Sequence, residues 1–133
     1  STQGVSSAAS DVYKRQEVSM DTIIRKNASG GKGEIHILPL LSEEERKNVI
    51  HMYGKITVLE GSSIGIHKHI GNSESYYILS GKGRYTDEKG TSDIQAGDVL
   101  YCNDGSFHGV ENTGAGNLVF MALIIKSPET EKS

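Results

Sequence analysis

Two histidines one residue apart, His67 and His69, lie in a run, Ile64 to His69, that reads as a β-strand. Residues i and i+2 of a strand project to the same face, so the pair delivers two imidazoles side by side to one point. Imidazole nitrogen suits zinc, iron, nickel, copper and manganese. Glu74 follows five residues on, past Ile70-Gly71-Asn72-Ser73, where a hairpin-like return could bring its carboxylate back to the same point. His108 comes much later, after Asp104-Gly105-Ser106-Phe107, and joins only if a barrel closes. A lone His-x-His on a strand is more often two partly exposed histidines; the wider spacing changes that balance.

The wider pattern is framed by glycines. Gly61, five residues, His67, one residue, His69, four residues, Glu74, six residues and Gly81 make one frame. Gly97, five residues, Asn103, one residue, Gly105, two residues, His108, three residues and Asn112 make a second. The two resemble the paired sequence motifs of the cupin superfamily, over about residues 35–125. The first matches at every defined position, and the second departs once, with Asn103 where proline is usual. That proline shapes a turn and binds nothing. The resemblance implies an all-β, double-stranded β-helix (jelly-roll) barrel of cupin type. It also implies His67, His69, Glu74 and His108 as ligands of one divalent metal ion (Fe, Mn, Ni or Zn), and a homodimer. Three neutral imidazoles and one carboxylate leave such an ion with a net charge of about +1. An octahedral ion would keep two positions for water or substrate, a catalytic rather than a closed structural layout.

Other residues are candidates for the surroundings of that centre. Tyr76 shares the face of Glu74 and is the candidate catalytic group, as proton donor or, with a lowered pKa, as general base. Ile78 on the same face is expected to line the pocket; Tyr77 and Leu79 point away, towards a second layer or a dimer partner. His51 heads a strand with Tyr53, Lys55 and Thr57 on its face, and His51 or Lys55 would meet an anionic substrate if that face lines the cavity. Tyr101 and Phe107 are expected at the pocket mouth, and Cys102 as a small buried residue. His36 reads as an edge residue, and Gly81-Lys82-Gly83 as a turn, since the spaced glycines and following helix of a phosphate loop are missing.

The elements that must position these groups are mostly strands. Ser42 with Glu45 forms a Ser-x-x-Glu capping box and predicts one short helix over 42–49, with Pro39 breaking a strand at His36 to Leu38. Strands are expected at Met52 to Leu59, Ile64 to His69, Ser75 to Leu79, Gly83 to Thr86, Asp93 to Gln95, Val99 to Cys102, Gly109 to Asn112 and Leu118 to Ile125. Gly or Asn turn signals separate most of them. Residues 1–19 read as an extension outside the functional domain, 20–126 as the cupin domain and 127–133 as a polar, frayed tail.

Composition narrows the function classes. The 133 residues allow one domain with one core. They carry a net charge of −3 and no basic block, which argues against a nucleic-acid partner. No apolar run approaches the ~18–20 residues that span a bilayer. A single cysteine permits no internal disulfide and, with no recognisable signal peptide, fits a reducing cytoplasm. The expectation is a small metalloenzyme of dioxygenase, isomerase or lyase type acting on a small polar or anionic molecule. The other reading is a metal-containing binding or sensing module without catalysis; no helix-turn-helix is present to support a fused regulator.

Overall fold

A computed structural model describes residues 21–129; the expected extension, residues 1–19, lies outside the described residues. Ten strands run β1 (Ile23–Lys26), β2 (Glu34–Pro39), β3 (Ile50–Val58), β4 (Ser63–Lys68), β5 (Asn72–Ser80), β6 (Lys82–Asp87), β7 (Gly90–Gln95), β8 (Val99–Cys102), β9 (Phe107–Asn112) and β10 (Leu118–Lys126). They form a six-stranded sheet, β1-β2-β3-β10-β5-β8, and a four-stranded sheet, β4-β9-β6-β7, with every pairing antiparallel. This is the jelly roll that the motifs imply.

Alternation builds the core. On β10, Leu118, Phe120 and Ala122 turn inwards, and on β5, Glu74, Tyr76 and Ile78 do so. Val58, Ile78, Leu118 and Phe120 are fully buried, each contributing roughly 1.5–3 kcal/mol of burial. Most of the interior is therefore aliphatic, and the polar groups admitted to it are few: Ser62, His69, Glu74, His108 and Asn112.

Three expectations need correction. The helix α1 spans only Glu43–Arg46. Ser42 and Glu45 do form the reciprocal capping box, but Lys47 and Asn48 adopt left-handed φ of 54° and 59°, which ends the helix three residues early. β2 is longer than the expected His36 to Leu38, beginning at Glu34 and ending with Pro39 itself as its last residue, opposite Gly54. The tail is not free at its start: the Ser127 amide donates to the Gly71 carbonyl and its hydroxyl to Asp104. β1 and the 3-10 turn Ala28–Gly30 that follows it were not foreseen as elements. No helix among the described residues is long and apolar enough to cross a membrane.

Candidate metal centre

β4 carries its histidines to the interior by breaking its own alternation. Ile64 faces inwards opposite Val110, and strict alternation would bury Ile66 next and expose His67. A β-bulge between Ile64 and His67 inserts one extra residue. As a result Ile66 is 54% exposed, while His67 turns inwards directly opposite His108 of β9. His69 follows just past the end of β4, its amide held by the Ser106 carbonyl at 2.9 Å. Glu74 comes from β5 in the other sheet.

Four side chains converge. The three imidazole rings form a near-equilateral set with centroid separations of 5.1, 4.7 and 5.0 Å. Glu74 Oε1 lies 2.9 Å from His69 Nε2 and 3.1 Å from His108 Nε2. One ligand atom from each of His67, His69, Glu74 and His108 falls within 4.8 Å of the others. Three of the four residues are buried.

The outer nitrogen of each ring is already engaged. His67 Nδ1 donates to the Gly65 carbonyl at 2.8 Å, and His69 Nδ1 to Asn72 Oδ1 at 2.7 Å. His108 Nδ1 meets the Tyr85 hydroxyl at 2.9 Å. In the neutral rings of His67 and His69 these contacts put the proton on Nδ1 and leave the Nε2 lone pair for a cation, the tautomer a metal ligand requires, whereas the Tyr85 hydroxyl can donate to or accept from His108 Nδ1. Asn72 is itself oriented, since its amide Nδ2 donates to His51 Nδ1 at 3.2 Å. The chemistry of the donor set and its outer hydrogen bonds therefore fit one divalent cation.

The electrostatics show how much the cluster depends on a positive partner. Burial pushes the Glu74 carboxyl up, but the hydrogen bonds from His108 and His69 outweigh it and hold its pKa below the ordinary value. The Glu74 hydrogen bond raises His69, whereas burial lowers His67. A carboxylate this deep persists only beside a cation or protonated imidazoles.

Tyr76 lies where the sequence places it, on the inner face beside Glu74, stacked on His108 at 5.2 Å and against Phe120 at 4.2 Å. Burial, then the Glu74 charge, pushes its pKa well up. That direction favours the protonated phenol over a general base with a lowered pKa.

The centre forms the inner end of a cavity of about 610 Å³. Its walls include Ile35, Ile37, Met52, Ile56, Ile64 and Ile124, and its mouth is built by residues 25–29. None of the five residues expected to line it, His51, Lys55, Ile78, Tyr101 and Phe107, does so. His51 is exposed and reaches the centre only through Asn72. Lys55 points outwards, because Gly54 and Ile56 on either side of it face in. Ile78 is fully buried in the core. Tyr101, 60% exposed, and Phe107 border a separate shallow pocket beside Cys102. Burial raises the Cys102 thiol to about 11, as expected of an inert buried cysteine. Sequence reasoning missed Asn72, Tyr85 and Arg25. Asn72 was legible, being two residues from Glu74 and on its face. Tyr85 and Arg25 depend on strand pairing, which no local spacing shows.

The profile of the cupin domain family matches residues 54–124. This chain belongs to the cupin family. It is 40% identical over 114 residues to an "oxalate-binding protein" of Thermotoga maritima, covering 86% of this chain and 93% of that one. The structure of a predicted oxalate decarboxylase from Thermotoga maritima superposes with a TM-score of 0.80 at 39% identity, over 87% of this chain and 99% of that one. The cupin domain of Schizosaccharomyces pombe Cnp3 superposes with a TM-score of 0.63 at 18% identity, over 70% and 61% of the two chains, a likeness of fold alone.

Proposed function

We propose that this cupin binds a small carboxylate anion at a divalent metal held by His67, His69, Glu74 and His108, and acts on it as an enzyme. The observation that carries this is the convergence of four donor atoms within 4.8 Å at the inner end of a cavity that Arg25 overlooks from the mouth. The ion, bound there, supplies Lewis acidity and, if redox-active, oxygen chemistry. Among the described residues that line the cavity, Glu74 is the only acid, and as a ligand of that ion it would not repel a carboxylate. The names of the Thermotoga maritima relatives point to the same ligand class. Tyr76 lines the cavity beside Glu74, and burial raises its pKa, which supports a role as proton donor to the bound acid.

Isothermal titration of oxalate into manganese-loaded protein tests the reading, followed by assays for carbon dioxide and formate. Metal-dependent binding with turnover supports an enzyme. Stoichiometric binding with no product favours a binding module, for which the exposed position of His51 outside the cavity also speaks. No binding to metal-loaded protein rejects both.

Two copies are proposed to pair through the outer face of the six-stranded sheet. There Tyr77, Leu79, Val99 and Tyr101 lie on adjacent strands, exposed by 41–66%. A monomer mass by light scattering at high concentration would reject this. The single buried cysteine suits a reducing compartment, and a cytoplasmic location is proposed on that ground.

A further inference from the structure

Oxalate would use only one end of the cavity. It is a small, wholly polar ion, and it would leave the isoleucine walls facing water in a space of about 610 Å³. The lining combines three kinds of residue: the His/Glu cluster with its buried His69 and Glu74, an aliphatic belt of Ile35, Ile37, Ile56, Ile64, Ile124 and Met52, and a cationic rim at the exposed Arg25 and Lys26.

Strand register separates the two cations. Residues directly opposite on paired strands project to the same face. Arg25 is opposite Ile35, a buried wall residue, so its side chain shares the inner face. Lys26 is opposite Glu34 and therefore shares the outer face, with Ile24 and His36. Among the described residues no carboxylate forms an ion pair with Arg25, whereas Arg84 has two.

The rim is held firmly relative to the centre. After β1 the chain turns through Asn27 and Ser29, both left-handed at φ 53° and 52°, and is closed by the Asn27 amide on the Gly33 carbonyl at 2.8 Å. This turn lies against β4 where Gly65 lacks a side chain; a Cβ there would collide with the Ser29 carbonyl oxygen. Gly65 is also the residue whose carbonyl orients His67. One glycine thus joins the arm carrying Arg25 to the strand carrying a metal ligand.

We propose that Arg25 is a specificity-determining residue that grips the far end of an elongated diacid. The ligand has a chelating carboxylate head for the His/Glu centre, an aliphatic body for the isoleucine belt and a terminal carboxylate for the guanidinium. The proposal rests on the reading that the centre takes a carboxylate. A guanidinium with no ion-pair partner among the described residues offers a bidentate, charge-assisted contact to such a terminus.

The test compares 2-hydroxyglutarate with 2-hydroxypentanoate, which share head and chain length and differ in the terminal carboxylate. Both are titrated into manganese-loaded wild type and into Arg25→Ala and Lys55→Ala, with oxalate as the head-only probe. The diacid is expected to bind wild type roughly tenfold tighter than the monoacid. Arg25→Ala should bring the diacid down to the monoacid level and leave the monoacid unchanged; Lys55→Ala, outside the cavity, should keep the ratio. Equal affinities in wild type, or equal losses for both acids in Arg25→Ala, overturn the proposal. Oxalate binding without binding of the longer acids overturns it while leaving the carboxylate reading intact. No metal-dependent binding of any of the three rejects that reading as well.

Discussion

The Tyr85 hydroxyl of β6 lies 2.9 Å from Nδ1 of His108 on the neighbouring strand β9, and so fixes the ring whose Nε2 faces the metal centre. Outer hydrogen bonds of this kind commonly govern affinity by roughly 10–100-fold. Tyr85→Phe should weaken divalent metal binding within that range, read by competition with a chromophoric chelator, while the fold persists. His108→Ala should lose the metal outright in elemental analysis. An unchanged affinity in Tyr85→Phe would mean that packing alone aims His108.

Tyr76→Phe separates chemistry from construction. The ring still packs on Phe120 and His108, so metal content and melting temperature should stay close to wild type. If the phenol donates a proton, turnover of a bound acid should fall by about 10²–10⁴-fold. Full activity in this variant would remove Tyr76 from the mechanism.

Gly65→Ala should be costly for so small a change. The added methyl meets the Ser29 carbonyl and the backbone nitrogen of Gly31. Overpacking of this kind costs about 1–3 kcal/mol, visible as a lower thermal midpoint. Because the same residue orients His67, metal affinity should fall too. A wild-type melt with wild-type affinity would show that the turn yields freely.

Asp104 gives an acid-side signature. Its carboxylate accepts from the Ser127 hydroxyl at 2.7 Å and the Gly71 amide at 2.8 Å, and these bonds lower its pKa. A depressed folded value means the stabilisation is present above the unfolded pKa of about 3.9 and is lost as pH falls through the folded value. Melting temperatures of wild type and Asp104→Asn should therefore differ at neutral pH and converge at the acid end. A gap that persists at the lowest pH would assign the effect to shape instead of charge.

The candidate ligands were legible because their spacing is local to two short segments, and the capping box because it is a four-residue pattern. What the sequence concealed is long-range. Strict alternation from Ile64 would send His67 outwards, and only the bulge opposite β9 reverses it. The face of Lys55 was left open by the sequence, and the structure turns it outwards because Gly54 and Ile56 take the inner positions. Arg25 belongs to a four-residue strand exposed throughout, with no apolar periodicity to announce it. Its role follows from being opposite Ile35, a relationship between strands and not within one.

The ligand set also straddles the sandwich. His67 and His108 belong to β4 and β9 in the four-stranded sheet, His69 follows β4, and Glu74 belongs to β5 in the six-stranded sheet. A cation shared by these side chains would be a removable rivet between the two layers. His69 and His108 are 39 residues apart in sequence, so an unfolded chain offers no such site. Stripping the ion with a chelator should loosen one layer against the other, as well as emptying the site, and saturating it should raise the melting temperature with free metal concentration.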